Sequence, residues 1–150
     1  MIEIEPARAG DRPEIEGLLE AGLLPTDGFE LALGTAVVAR DDGRIVGCAA
    51  IEQYGSAALL RSVCVAPDHR GIGLGQRLVE RAEAVAAALE VGELFLLTET
   101  AADWFARLGY VPDSRDSAPA AIQTSPEFTG ACPESAALYR KRLSVAAAVS

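Results

Sequence analysis

Three glycines at alternate positions, in the stretch Arg70-Gly71-Ile72-Gly73-Leu74-Gly75, constrain what this chain can become more than any other feature. Upstream, Leu59 to Ala66 is mostly apolar and carries Val63 and Val65, and Pro67-Asp68 breaks it, so it reads as a buried strand. Downstream, Leu78, Val79, Ala82, Val85, Ala86 and Leu89 recur at helical spacing, with Arg77, Glu80, Arg81, Glu83 and Glu90 largely on the opposite face. A strand therefore turns through glycines into a helix. Lacking a Cβ, each glycine lets the backbone turn tightly and lets a bulky anion approach N–H groups that the start of the helix leaves unpaired. Arg70 adds a guanidinium at the rim, suited to bidentate phosphate contact.

Two familiar anion cradles fail on spacing. A P-loop needs Lys followed by Ser or Thr after its last glycine, where Gln76 and Arg77 stand. The dinucleotide fingerprint G-x-G-x-x-G needs glycine at position 76 or 78, which are Gln76 and Leu78. What remains is R-x-x-G-x-G, met by Arg70, Gly73 and Gly75.

Along the chain, Ile2 and Ile4 alternate with Glu3 and Glu5 as an opening strand. Asp11 offers an N-cap to a first helix striped by Ile15, Leu18, Leu19 and Leu23, which Gly22 and Pro25 end. Leu23 to Gly34 has no clean period and is expected as a substrate-side flap, with a plain connector as the alternative. Thr35 to Arg40 and Ile45 to Glu52 are strands joined through Asp41-Asp42-Gly43-Arg44, whose Asp-Gly pair tolerates positive φ. Tyr54-Gly55-Ser56 turns into the central strand. After the cradle helix, Gly92 is the expected C-cap and Glu93 to Thr98 the next strand, in parallel with the strand before the cradle. Thr100 or Asp103 can cap a short helix that Gly109 stops, and Tyr110-Val111-Pro112 begins another strand. Ser125-Pro126-Glu127-Phe128 reads as a cap, a proline at the first helical position and a short helix. The final Ser144 to Ser150 is expected to fray.

At 150 residues and 50% hydrophobic, one domain spanning 1–150 is expected. No apolar run approaches the ~20 residues of a membrane span, and the acidic start is unlike a signal peptide. A soluble, unprocessed, cytoplasmic protein follows, with Cys48, Cys64 and Cys132 as free thiols. A net charge of −9 disfavours nucleic acid and anionic membranes. His69 is the sole histidine, so zinc and Ser-His-Asp constellations are nearly excluded; it reads as a solvated loop residue and no metal is expected.

The cradle within VAPDHRGIGLGQRLVE, followed by WFARLGY, resembles the acetyl-coenzyme A loop and the later aromatic element of the GCN5-related N-acetyltransferase (GNAT) family. LLTETAADWF, SPEF and CPESA further resemble the subgroup found beside arsenic-resistance functions. The resemblance implies a mixed α/β fold: a mostly antiparallel sheet of six or seven strands, whose parallel fourth and fifth strands splay apart, with flanking helices. It favours a strand over a helix for Ala136 to Leu143. It also implies acetyl-coenzyme A as co-substrate, a small-molecule amine as acceptor, and admits a homodimer.

In that reading Val63, Cys64 and Val65 pair with the pantetheine arm, and Arg70, Gly71, Ile72, Gly73, Leu74, Gly75 and Gln76 hold the pyrophosphate. Thr100 and Phe105 lie beside the cofactor, Phe105 where family members often place an acidic tyrosine. Direct attack of a neutral amine on the thioester needs a base. Glu52 and Glu99 are the candidates, each with a solvated strand-end charge as its plain alternative, and Thr98 can position amine or water. Tyr54 can contact substrate or sit in a turn. Arg61, by alternation on one face with Leu59, Val63 and Val65, needs an anion, either a carboxylate of the protein or that of an amino-acid-like substrate. The rival function is an acyl-coenzyme A sensor without turnover; a purely structural domain leaves the glycines without a role.

Overall fold

The computed structural model describes residues 1–143, so the expected fraying of Ser144 to Ser150 lies outside the described residues. Seven strands form one sheet: β1 Ile2–Pro6, β2 Val37–Asp41, β3 Arg44–Tyr54, β4 Ala57–Val65, β5 Glu93–Thr98, β6 Val111–Asp113 and β7 Ala137–Arg142. Their order across the sheet is β1-β2-β3-β4-β5-β7-β6. Among the described residues only β4 and β5 run parallel; every other neighbouring pair is antiparallel. Three α-helices, α1 Arg12–Ala21, α2 Leu74–Ala88 and α3 Ala102–Arg107, flank the sheet.

The meander forms as its turn chemistry requires. Asp42 at φ 51° and Gly43 at φ 83° both take positive φ between β2 and β3, the backbone a tight hairpin needs to match strand twist. On one face α2 buries Leu74, Leu78, Val79, Ala82 and Ala86 against Val37, Val46, Ile51 and Leu60. On the other, α1 packs Ile15 and Leu19 with Phe29, Val38 and Cys48. Each large side chain so buried contributes roughly 1.5–3 kcal/mol of transfer free energy.

Several local expectations give way to tertiary contacts. Asp11 occupies the N-cap position of α1 but its carboxylate makes no cap there; it accepts instead from the Arg8 N–H and from Arg40 of β2. Leu23 leaves the helix stripe and is exposed. Glu90, not Gly92, takes the left-handed position after α2, at φ 64°, while the Gly92 N–H donates to the Ser56 carbonyl. Neither Thr100 nor Asp103 caps α3; the Thr98 hydroxyl accepts the Ala101 N–H and closes that turn. The stretch from Leu23 to Gly34 contains two 3-10 turns, Phe29–Leu31 and Leu33–Thr35, anchored by fully buried Phe29 and Ala32. At the other end of the chain, Ser125 and Pro126 lead into a five-residue π-type turn, Glu127–Ala131, whose Glu127 N–H donates to the Ser125 hydroxyl.

Candidate functional site

The parallel pairing of β4 with β5 runs only from Ala57↔Glu93 to Leu59↔Phe95. Beyond it the strands diverge: β4 continues to Val65 against β3, and β5 continues to Thr98 against β7. The side of β4 that faces β5 is thus left without a strand partner, and a cleft of about 850 Å³ opens in the V. Its walls include Val63, Cys64 and Val65 on one side, Leu97, Thr98 and Glu99 on the other, and Phe105 at the end.

A second space of about 480 Å³ shares Val63, Cys64, Val65, Arg70 and Phe105 with the first, so the two form one continuous groove. It runs over Gly71, Gly73, Leu74, Gly75 and Gln76 at the start of α2 and under Trp104. Gly71 and Gly73 adopt φ of 81° and 80°, a conformation that costs side-chain-bearing residues energy. A Cβ on Gly75 would stand 3.1 Å from the Trp104 ring, so glycine there keeps the groove open. Among the described residues, the N–H groups of Gly71 to Gln76 find no protein acceptor. Five of these residues, all but Ile72, line the groove, beside the positive end of a 15-residue helix.

Of the residues expected at the cofactor, Ile72 is the exception: it is 61% exposed and does not border the groove. Arg70 lies at the rim, its Nε donating to the Val65 carbonyl at 3.0 Å. Thr100 is exposed at the mouth of the V, and Phe105 is buried beside it, edge-on to Trp104 and Tyr110. Glu99 is exposed and accepts from the Ser135 hydroxyl, whereas Thr98 is nearly buried and spends its hydroxyl on the Ala101 N–H. His69 does lie in a turn, Pro67–His69, but its side chain is held between carboxylates rather than solvated as expected. Its ring nitrogens sit 2.8 Å from Asp41 and 2.9 Å from Asp68, and Arg44 also holds Asp68. These carboxylates, Asp41 first, raise the His69 pKa.

The inner wall of the V is a buried polar network that alternation mispredicts. Ser62 adopts φ 60° and β4 carries one extra residue against β3 at this point. The bulge reverses the pattern: Val63 and Val65 pack with α2, while Arg61 stays with Leu59 on the opposite side. There its guanidinium, 0% exposed, donates to Glu52 at 2.6 Å, to the Asp27 carbonyl at 2.8 Å and to the Ser62 hydroxyl at 3.1 Å. It also stands 5.9 Å from the centre of the Phe29 ring and 3.5 Å from the Glu127 carboxylate. The anion that Arg61 needs is therefore supplied by the protein.

Glu52 does not border the cleft. It is buried behind Arg61 and also accepts from Tyr54 Oη at 2.6 Å and Ser125 Oγ at 2.7 Å. That setting is at odds with Glu52 acting directly as base. Tyr54 likewise faces Glu52 rather than the cleft, and burial together with that carboxylate pushes its hydroxyl up to about 12.

Glu127 borders the cleft and was missed, because SPEF reads locally as nothing more than a helix start. It is 5% exposed, and burial raises its pKa against the opposing pull of Arg61. Cys132, whose thiol lies 3.4 Å from Glu127 Oε1, is itself pushed up to about 12, first by burial and then by Glu127. Both effects favour the protonated thiol. The described residues hold no cluster of three or more His, Cys, Asp or Glu that could hold a metal. Nor is any described helix long and apolar enough to cross a membrane.

Comparison with known proteins agrees with this geometry. The family model for the acetyltransferase (GNAT) domain matches residues 32–112. An amino-acid acetyltransferase from Azotobacter vinelandii is 33% identical over 131 residues, covering 79% of this chain and 30% of that protein. The chain thus spans less than a third of the length of the curated relatives it matches, 30% of that one and 19% and 25% of two others. Among solved structures, N-acetylglutamate synthase from Neisseria gonorrhoeae, complexed with coenzyme A and N-acetyl-glutamate, superposes with TM-score 0.81 at 24% identity, over 95% of this chain and 35% of that one. Rv2747 from Mycobacterium tuberculosis, in complex with CoA, superposes with TM-score 0.78 at 24% identity, over 94% of this chain and 99% of that one. With a matching family model over more than half its length and the same sheet, this chain belongs to the GNAT acetyltransferase domain family.

Proposed function

We propose that this protein transfers an acetyl group from acetyl-coenzyme A to the amine of a small, amino-acid-like molecule. The observation that carries the reading is the V between β4 and β5, continuous with a groove lined by five residues with acceptor-less N–H groups. Val63 to Val65 lie beyond the last β4–β5 pair, so an amide-bearing arm would lie along this edge of β4 as a strand would, with the Val65 carbonyl already held by Arg70. The start of α2 and Arg70 would bind the diphosphate, and Phe105 and Trp104 would exclude water from the join. When bound, acetyl-coenzyme A supplies an activated carbonyl at the point where the groove meets the cleft.

An amino-acid acceptor is supported by the amino-acid acetyltransferases among the relatives and by the size and polarity of the cleft beyond Val63. The resemblance of LLTETAADWF, SPEF and CPESA to the subgroup found beside arsenic-resistance functions extends the proposed acceptor class to phosphorus and arsenic analogues of amino acids. Arg61 serves that acceptor through the wall it organises, since its guanidinium is already held by Glu52.

A second reading, a sensor that binds acyl-coenzyme A without turnover, is favoured by Phe105, which offers no hydroxyl to a departing thiolate. A thiol near pKa 8.5 leaves tolerably without an acid, so transfer is preferred. The test is a thermal-shift titration with acetyl-coenzyme A, followed on the same sample by a thiol-release screen of amino acids and their phosphorus and arsenic analogues. A saturable rise in Tm with turnover of one amine is expected. A rise without turnover across the screen selects the sensor, and no rise at millimolar ligand refutes both.

A further inference from the structure

The cleft wall holds more negative charge than its one buried cation balances. Arg61 is committed to Glu52 at 2.6 Å, and Glu52 is saturated by that guanidinium and the hydroxyls of Tyr54 and Ser125. Glu127 Oε1 accepts only the weak Cys132 thiol, at 3.4 Å, and its Oε2 has Arg61 no nearer than 3.5 Å, longer than a charge-assisted hydrogen bond, so neither oxygen has a strong donor. Yet it is 5% exposed, on the lining of the cleft. A desolvated carboxylate with spare lone pairs is stabilised by a cation that brings hydrogen-bond donors, and an ammonium group is both.

We infer that Glu127 receives the acceptor's ammonium group and takes its proton, a role that rests on the acetyltransferase reading above. The ammonium gives one proton to the Glu127 carboxylate and becomes a neutral amine. The nitrogen lone pair attacks the thioester carbonyl carbon, and the C–N bond forms. The C–S bond then breaks, its electron pair leaves on sulfur, and the proton shed by nitrogen goes to the thiolate. Glu127 returns its proton to water, so the balance is one amide, one free thiol and one proton.

Four groups face this carboxylate: Arg61 from β4, which favours its charged form; Glu52 from β3 and Asp27 from the loop after α1, which oppose it; and Cys132 at the end of its own turn. Burial outweighs Arg61, which places the proton affinity of Glu127 above that of an ordinary carboxylate, as a base for an ammonium requires. The acid limb of activity then follows Glu127: turnover falls as pH drops through its raised value.

The test is Glu127→Gln, which keeps the shape and cannot take a proton, alongside Glu127→Asp. With the full chain and the amine that the thiol-release screen identifies, kcat/KM for that amine is expected to fall by about 10²–10⁴ in Glu127→Gln. Affinity for acetyl-coenzyme A by calorimetry is expected to stay within twofold. The residual activity should rise tenfold per pH unit through neutrality, because the neutral amine must then come from solution, while Glu127→Asp restores part of the rate and the original limb. Glu127→Gln within threefold of the parent, with its acid limb unmoved, overturns the assignment to Glu127 alone. A parent that turns over no amine overturns the acetyltransferase reading and this role with it.

Discussion

Arg61→Ala offers the sharpest test of the buried network. The substitution removes the one cation from a pocket that retains Glu52 and Glu127, and it strips hydrogen bonds from the Asp27 and Pro25 carbonyls and the Ser62 hydroxyl. Breaking a buried pair from one side costs about 3–5 kcal/mol, because the partner charge remains desolvated. In a chain of this size that corresponds to a fall in Tm of about 6–20 °C, at 2–4 °C per kcal/mol. The loss should depend on pH with a definite sign. Without Arg61 burial acts unopposed on Glu127, which then binds its proton still more tightly folded than unfolded, so the variant's stability declines as pH rises and recovers as it falls. Thermal melts of parent and variant from about pH 5 to pH 8 should show the Tm gap widening toward pH 8. A gap under 2 °C at pH 8, or one constant across the range, would refute the claim that Arg61 neutralises this wall.

Gly73→Glu puts a side chain at φ 80° and a negative charge over the acceptor-less N–H groups. The backbone strain should cost about 1–2 kcal/mol, leaving the fold intact, while calorimetric binding of acetyl-coenzyme A is lost; unchanged affinity would sink the cradle assignment. Because His69 holds its proton more tightly folded than unfolded, its contribution to stability is fully present below its ordinary value of 6.5 and is lost as pH rises through the raised one. The stability difference between parent and His69→Gln should therefore be larger at about pH 5.5 than at pH 8.5, and chemical denaturation at the two values checks it. Phe105→Tyr sets a hydroxyl beside the cleft, and kcat should rise with the KM for acetyl-coenzyme A unchanged; an unchanged kcat would mean that thiolate departure does not limit turnover.

The fold was legible where local chemistry and topology agree. Asp42-Gly43 specified a hairpin, Ile15 and Leu19 a helix face, and strand–cradle–helix–strand a parallel pair, because each signal lies within a few tens of residues. The expected sheet, with β4 and β5 parallel and splayed apart, matches the structure, which ends their pairing at Leu59. The misread details share one cause. Asp11 abandons its cap for Arg40, 29 residues away, and Glu90 turns the chain where glycine was expected, since the contacts of Val91 and Gly92 hold the backbone there.

The residues themselves determined that this chain carries an anion cradle between a buried strand and an amphipathic helix, because glycine spacing and helix polarity are properties of a contiguous stretch. Only the tertiary structure decided the character of the acceptor side. Arg61 and Glu52 face each other across paired strands, Ser125 joins them from 73 residues beyond Glu52, and Glu127 completes the wall from the segment between β6 and β7. The bulge at Ser62 that turns Val63 and Val65 away from Arg61 leaves no mark in the pattern of residues. Charge balance in a desolvated space is a sum over groups that packing brings together, and nothing in their order along the chain records which of them will meet.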